Sequence, residues 1–200
     1  IGSFSVAGDA NLNIEAGNNL LIVLSRLGTL SILKDAETNI FAGNNIYSFL
    51  NRISSRSFFG NAYTNMVAGR NINLFRTAIT SRTRNGLAVT TILALNKIRA
   101  RNSIIESTAR DGMAITSLSA LNDIILRRTV VSSKVLNNGL AITNLFALDS
   151  IDIRRSTIEA SIGRSGLSLV SISTLLSDIG IDRSIITSSV EENGASIARL

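Results

Sequence analysis

The sequence predicts an all-β protein, a right-handed parallel β-helix (β-solenoid) of about seven coils with 26 to 28 residues in each. Three observations support this fold class. One motif recurs at a nearly constant spacing, glycines recur at a fixed place within the repeat, and apolar residues alternate with polar ones between them. Hydrophobic residues form 45% of the 200 residues, which is enough to fill a continuous core.

The recurring motif begins with a small pair or a Leu-containing pair and continues with alternating aliphatic residues. Its copies are AGNNLLIVLSRLGT from Ala16, AGNNIYSFLNRISS from Ala42, AGRNINLFRTAITS from Ala68, ALNKIRARNSIIES from Ala94, ALNDIILRRTVVSS from Ala120, ALDSIDIRRSTIEA from Ala147 and LLSDIGIDRSIITS from Leu175. Their starts are separated by 26, 26, 26, 26, 27 and 28 residues. This period predicts one elongated array across residues 1–200, a single solenoid segment of a longer chain, rather than separate globular domains.

The second half of each unit contains a glycine followed by aliphatic residues. Its copies are GLAVTTIL from Gly86, GMAITSLS from Gly112, GLAITNLF from Gly139, GLSLVSIS from Gly166 and GASIARL from Gly194. Because glycine adopts positive φ without steric cost, we expect a turn at each of these positions. The aliphatic residues after the glycines are expected to form two columns, Leu87, Met113, Leu140, Leu167 and Val89, Ile115, Ile142, Leu169, which fill the core.

Between the turns, apolar residues fall at period two, as at Ile72 and Leu74, which favours strands over helices. Stacking of the repeats aligns a further core column of Leu20, Ile46, Ile72, Ile98, Ile124, Ile151 and Ile179. It also aligns Asn18, Asn44, Asn96 and Asn122, whose amides can hydrogen-bond along the axis. The alternative is a leucine-rich repeat, whose spacing fits residues 145–158, but segments such as EASIGRSGLSLVS lack an amphipathic helix pattern.

The residue composition excludes several kinds of catalytic site. The chain has no Cys and no His, so the usual zinc, haem and iron–sulfur ligand sets and the Cys-His and Ser-His-Asp catalytic sets are missing. Asp149 and Asp152 come closest to a carboxylate pair, so we expect no enzyme, no cofactor and no metal site, and a polysaccharide-degrading β-helix or tailspike is a remote alternative. The longest aliphatic run, LLIVL at residues 20–24, is too short to span a bilayer.

Charge and aromatic residues indicate two candidate surfaces. The net charge is +6, and six arginines of the later repeats would form a ladder: Arg101, Arg127, Arg128, Arg154, Arg155 and Arg183. Such a ladder suits an anionic glycan or a cell-surface receptor, although Asp152 and Asp182 could simply neutralise it by local ion pairing. Nucleic acid is not expected, because no aromatic residues are interleaved with these arginines.

Aromatic residues concentrate between residues 41 and 75. We expect an exposed interface patch formed by Tyr47, Phe49, Phe58, Phe59 and Phe75. The alternative is a local lid, in which Phe58 and Phe59 fold over a bulged coil. A hydroxyl column of Thr77, Ser103, Thr129, Ser156 and Ser184 is one residue wide and lies beside a turn, which is too narrow for an ice-binding array.

The segments AGRNINLFRTAITS, NIEAGNNL and ALDSIDIRRSTIEAS resemble the haemagglutinin repeats of filamentous haemagglutinin-like exoproteins, a bacterial two-partner-secretion family. The resemblance implies a right-handed β-helix that forms the structural rod of an extracellular or cell-surface fibrous adhesin and displays binding or effector regions. The alternative function is a self-assembling extracellular filament or matrix subunit, whose partners would be neighbouring coils or subunits.

Overall fold

The computed structural model describes all 200 residues as a parallel β-solenoid of about eight turns, with no helix. In chain order the strands are β1 (Gly2–Ser5), β2 (Ala10–Ala16), β3 (Leu20–Val23), β4 (Arg26–Ser31), β5 (Ala36–Ala42), β6 (Asn45–Phe49), β7 (Arg52–Ser57), β8 (Ala62–Ala68), β9 (Asn71–Phe75), β10 (Ala78–Ala94), β11 (Lys97–Arg101), β12 (Ile104–Ala120), β13 (Asp123–Arg127), β14 (Val130–Val135), β15 (Gly139–Ala147), β16 (Ser150–Arg154), β17 (Thr157–Ile162), β18 (Ser165–Thr174), β19 (Ile179–Asp182), β20 (Ile185–Val190) and β21 (Asn193–Arg199). The predicted fold class is therefore confirmed, with about one turn more than expected. The alternative prediction of a leucine-rich repeat is wrong. Since there is no helix, no helical segment is long and apolar enough to cross a membrane.

Each of the first seven coils contributes one strand to each of three parallel faces, which we name sheets, and the last coil contributes strands to the first two only. The first sheet contains β1, β4, β7, the start of β10 and of β12, β14, β17 and β20. The second contains β2, β5, β8, the ends of β10 and β12, β15, β18 and β21, and the third contains β3, β6, β9, β11, β13, β16 and β19. The long strands β10 and β12 turn the corner from the first sheet into the second without a break.

The pairing register follows the repeat spacing read from the sequence. Ile98 pairs with Ile72 on one side and with Ile124 on the other, so the expected column from Leu20 to Ile179 is confirmed. The longer repeats place their extra residues in corners. Val135 pairs with Ala109, but Gly139 pairs with Gly112, so one residue is added between these two pairs. The strands themselves keep their register, which leaves the ladders intact.

The core is continuous, and it contains 34 buried hydrophobic residues in one cluster. The column of the third sheet is buried from Ile46 to Ile151 and partly buried at its ends, but the two columns expected after the glycines are wrong. Leu87, Met113 and their counterparts lie on the outer side of the second sheet, and so do Val89, Ile115 and theirs; Leu167 is 40% exposed. The inward positions of β10 are instead Ala88, Thr90, Ile92 and Ala94. Inward and outward residues do alternate along this strand as predicted, but the residues that were expected to face inward face outward.

A ladder of buried hydroxyl groups joins the first and second sheets inside the narrow corner between them. Thr90 Oγ1 lies 3.0 Å from Ser81 Oγ, and Ser107 Oγ continues the ladder at 3.0 Å from Thr90 Oγ1. The ladder contains Ser55, Thr64, Ser81, Thr90, Ser107 and Thr116. Because each hydroxyl group of the ladder has a hydrogen-bond partner, the ladder residues do not carry the cost of unsatisfied burial. The core is thus aliphatic on one side and hydroxyl-lined on the other.

Two kinds of corner have positive φ. Gly112, Gly139 and Gly166 adopt φ of 115°, 152° and 150°, and a Cβ on Gly139 would lie 1.7 Å from the Gly112 carbonyl oxygen. The corner after the third sheet is left-handed without glycine, with φ between 47° and 57° at Leu24, Leu50, Arg76, Asn102, Arg128, Arg155 and Arg183. The hydroxyl column follows directly, and Ser156 Oγ accepts the backbone N–H of Thr129 at 3.1 Å. That column is buried up to Ser156, so its hydroxyl groups tie one coil to the next.

Asparagine ladders form along the axis. The Asn44 amide donates to Asn18, and Asn122 Nδ2 donates to Asn96 Oδ1 at 2.8 Å, as expected. Asn96 in turn donates to Asn71 at 2.9 Å, because Arg70 occupies the position between Asn44 and Asn96.

Candidate binding surface on the third sheet

The outer face of the third sheet changes from apolar to basic along the rod. Strand pairing aligns one outward column of Val23, Phe49, Phe75, Arg101, Arg127, Arg154 and Asp182. Leu24, Leu50, Arg76, Asn102, Arg128, Arg155 and Arg183 follow these residues at the left-handed corner. The six predicted ladder arginines therefore occupy two neighbouring columns.

A groove of about 480 Å³ lies where the aromatic and basic parts of this face meet. Its lining includes Tyr47, Phe49 and Phe75 on one side and Arg99, Arg101 and Arg127 on the other. The Phe49 and Phe75 rings pack with their centroids 6.2 Å apart. The structure thus brings part of the predicted aromatic patch and part of the predicted arginine ladder into one concave surface.

Cation–π contacts connect the two chemistries of the groove. The Arg76 guanidinium lies 5.3 Å from the centroid of the Phe75 ring, and that of Arg101 lies 6.0 Å from the same centroid. Such contacts are attractive because the negative face of the ring meets a positive charge. They favour guanidinium positions beside the aromatic rings instead of free extension into solvent.

Local ion pairing explains only one end of the ladder. Arg154 Nε contacts Asp152 Oδ1 at 2.9 Å, and this hydrogen bond with Asp152 raises the pKa of Arg154 above its ordinary value. Arg183 lies 3.9 Å from Asp182. The other four ladder arginines have no carboxylate oxygen within 4.0 Å, the limit for a salt bridge; they are Arg101, Arg127, Arg128 and Arg155. Their charges are available to an anionic ligand.

The aromatic patch is not contiguous. Tyr47, Phe49 and Phe75 lie on the third sheet, whereas Phe58 and Phe59 lie at the corner between the first and second sheets. Phe58 is partly buried beneath the Arg56 guanidinium, 5.1 Å from the ring centroid, and Phe59 is 55% exposed. The chain turns around the rod between residues 49 and 58, so residues that are close in sequence end on different faces.

Sequence reasoning missed a second basic surface, on the first sheet. Arg26 pairs with Arg52, and Arg56 pairs with Arg82, on adjacent strands. The signal that could have found these pairs is their 26-residue separation, which equals the repeat.

The acidic residues do not form a metal site or an open carboxylate pair. Asp152 is engaged by Arg154, Asp149 lies at the preceding corner, and no group of three or more acidic residues is arranged to hold a metal ion. In comparisons with known proteins, no family model, no curated protein and no solved structure matches this chain.

Proposed function

We propose that this chain is a structural rod of a bacterial cell-surface or secreted fibrous protein of the haemagglutinin-repeat type. The observation that carries the proposal is the uninterrupted parallel register of the third sheet from β3 to β19. Residues added to the longer repeats are confined to corners, so every coil stacks on the next through all three sheets. A stack of this kind sets a fixed distance between its ends.

The rod also offers outward side chains without disturbing its core. The outer residues of the third sheet differ from coil to coil, whereas the inward positions remain small or aliphatic. The surface side chains can therefore vary and form binding sites while the residues that stack in the core stay the same, as in other repeat proteins. The contrast between constant inward residues and variable outward residues supports a role as a scaffold that displays binding regions.

The location can be tested on the bacterium that makes the protein. Antibodies raised against the chain are expected to label intact cells or the culture medium, and external protease should remove the cell-surface label. Labelling that appears only after permeabilisation of the cells would overturn the proposed location. A parent protein shortened by one coil should still reach the surface, because stacking does not depend on one particular coil.

A second candidate function is lateral assembly into a filament. The observation that favours it is the pair of aliphatic columns on the outer side of the second sheet, where Met113 is 36% and Leu167 is 40% exposed. Exposed aliphatic columns favour association with another surface. Sedimentation velocity should show concentration-dependent species that the double variant Met113→Gln, Leu167→Gln removes, and a wild-type monomer at every concentration would discard this candidate.

A further inference from the structure

The outer face of the first sheet carries a furrow with arginines along both sides. Arg26 and Arg52 lie opposite each other on β4 and β7, and Arg56 and Arg82 lie opposite each other on β7 and β10. The column between these pairs consists of Gly28, Ser54 and Thr80, which are small enough to leave a floor. The resulting groove has a volume of about 350 Å³ and runs parallel to the rod axis.

Three of the four arginines of the furrow have no carboxylate partner within the chain, although their arrangement calls for one. Like charges directly opposite one another on neighbouring strands are destabilising. Arg26, Arg52 and Arg56 have no carboxylate within 4.0 Å, and Arg82 has only Glu106, at 3.4 Å. The positive charges of Arg26, Arg52 and Arg56 are therefore not compensated by a carboxylate of the chain.

The later coils of the same sheet provide an internal comparison. The floor column continues from Thr80 to Glu106 and then, two coils later, to Glu159. Glu106 contacts Arg82, and Glu159 contacts Lys134 at 3.4 Å. Where the floor is acidic, it neutralises the neighbouring basic side chain. Where the floor is Gly28 and Ser54, the neutralising charge has to come from outside the chain.

The floor also limits what can enter. A Cβ on Gly28 would lie 2.8 Å from both the Ser54 carbonyl oxygen and Ser54 Oγ, so the position stays open only without a side chain. Ser54 contributes a hydroxyl group that can hydrogen-bond to a polar ligand. Two aromatic rings lie near the furrow: Phe58 is covered by Arg56, and Phe4, which is 62% exposed, lies at one end of the furrow beside Gly28 and Ser54. One exposed ring at the end of the furrow does not provide the series of rings on which successive bases of a single-stranded nucleic acid stack.

We propose that the furrow binds a linear polysaccharide that bears carboxylates, a polyuronate, lying along the rod axis. The guanidinium group holds a carboxylate through two parallel hydrogen bonds, and the two rows of arginines can grip carboxylates on alternating sides of one chain. The sugar hydroxyl groups would face the Gly28 and Ser54 floor. The site is separate from the third-sheet groove, and it does not depend on where the rod is located.

The test is titration calorimetry with oligogalacturonate, using its methyl ester as the uncharged ligand of the same backbone. The wild-type chain is expected to bind the acid and not the ester, with an affinity that falls as salt is added. The double variant Arg52→Ser, Arg56→Ser should lower the affinity about tenfold, because it removes charge-assisted hydrogen bonds. The matched control Arg70→Ser, Arg164→Ser removes the same charge elsewhere and should change it only about twofold.

A second variant keeps the test independent of folding defects. Ser54→Glu places a carboxylate in the floor, as Glu106 does two coils later, and should abolish binding while it raises the thermal midpoint. Equal binding of acid and ester, or unchanged binding by either furrow variant, would overturn the proposal. Binding of heparin or inorganic polyphosphate in the absence of oligogalacturonate binding would overturn the assignment to a carboxylate polymer.

Discussion

At the residue scale, the tightest position is Gly139, one of the stacked glycines at the corner between the first and second sheets. In Gly139→Ala the new Cβ would lie 1.7 Å from the Gly112 carbonyl oxygen, at a residue with φ of 152°. We expect this variant to lose about 3 kcal/mol or more of the free energy of unfolding, because two coils must separate. Urea unfolding followed by circular dichroism measures the loss. Gly17→Ala is the control, since its Cβ would meet nothing within 4 Å, and an equal loss there would contradict the account.

The buried hydroxyl ladder makes a second prediction at this scale. Thr116 Oγ1 lies 3.0 Å from Ser107 Oγ and 2.7 Å from the Ser132 carbonyl oxygen. Thr116→Val retains the shape but removes both bonds, and should cost about 1 to 3 kcal/mol by leaving buried partners unsatisfied. Thr91→Val, on the outer side of β10, should change stability by less than about 0.5 kcal/mol. Equal thermal midpoints for the two variants would show that the ladder contributes nothing.

The alternating pattern alone could not predict which residues of the second-sheet strands face the core. In GLAVTTIL from Gly86, both the set with Leu87 and Val89 and the set with Ala88 and Thr90 alternate correctly. The narrow corner decides between them, because the hydroxyl groups of Ser81 and Thr90 meet at 3.0 Å across it. Only small residues fit there, so the larger aliphatic side chains lie outside. That constraint depends on how two sheets approach each other, which no single strand pattern reveals.

At the element scale, an ion pair on the outside of the third sheet links β11 to β13. Lys97 Nζ lies 2.6 Å from Asp123 Oδ2, and this hydrogen bond is the main reason that the pKa of Asp123 is lowered; Ser150 adds to it and burial opposes it. A lowered folded-state pKa means that the stabilisation is complete above the ordinary carboxyl value of 3.8 and is lost as pH falls below it. Urea midpoints from pH 7 to pH 3 should therefore fall more for wild type than for Asp123→Asn. Parallel curves would contradict the assignment.

The third-sheet surface was partly predictable. The repeat spacing aligned Phe75 with Arg101 and Arg127, so the change from an apolar to a basic face followed from the sequence. The separation of Phe58 from Phe49 did not, because it depends on how far the chain turns around the rod between two strands. The first-sheet arginines were missed for another reason: Arg26 and Arg52 lie near the end of the recurring motif and Arg56 and Arg82 just after it, and only the strand pairing shows that the two pairs flank one column.

At the scale of the whole molecule, a solenoid predicts that coils can be removed only in whole units. Deletion of residues 78–103 joins Thr77 to Ile104, which occupies the position that Ala78 has in its own coil. The shortened chain should fold with lower stability, since each coil adds one more stacking interface. Deletion of residues 78–90, half a coil, should prevent folding because inward and outward residues no longer align. Circular dichroism and urea unfolding distinguish these results, and equal tolerance of both deletions would contradict the stacking.

The most direct test of the stacked rod is a pair of spin-label distances along one column. The chain has no cysteine, so spin labels can be attached at introduced cysteines without side reactions. One double variant replaces Val23 and Arg127 by cysteine, and the other replaces Val23 and Asp182. All three residues lie in one outward column of the third sheet. With about 4.8 Å between adjacent strands, pulsed electron paramagnetic resonance should give narrow distributions near about 19 Å and about 29 Å. Distances that fail to grow with the number of intervening coils, or broad distributions, would contradict the solenoid and the rod built from it.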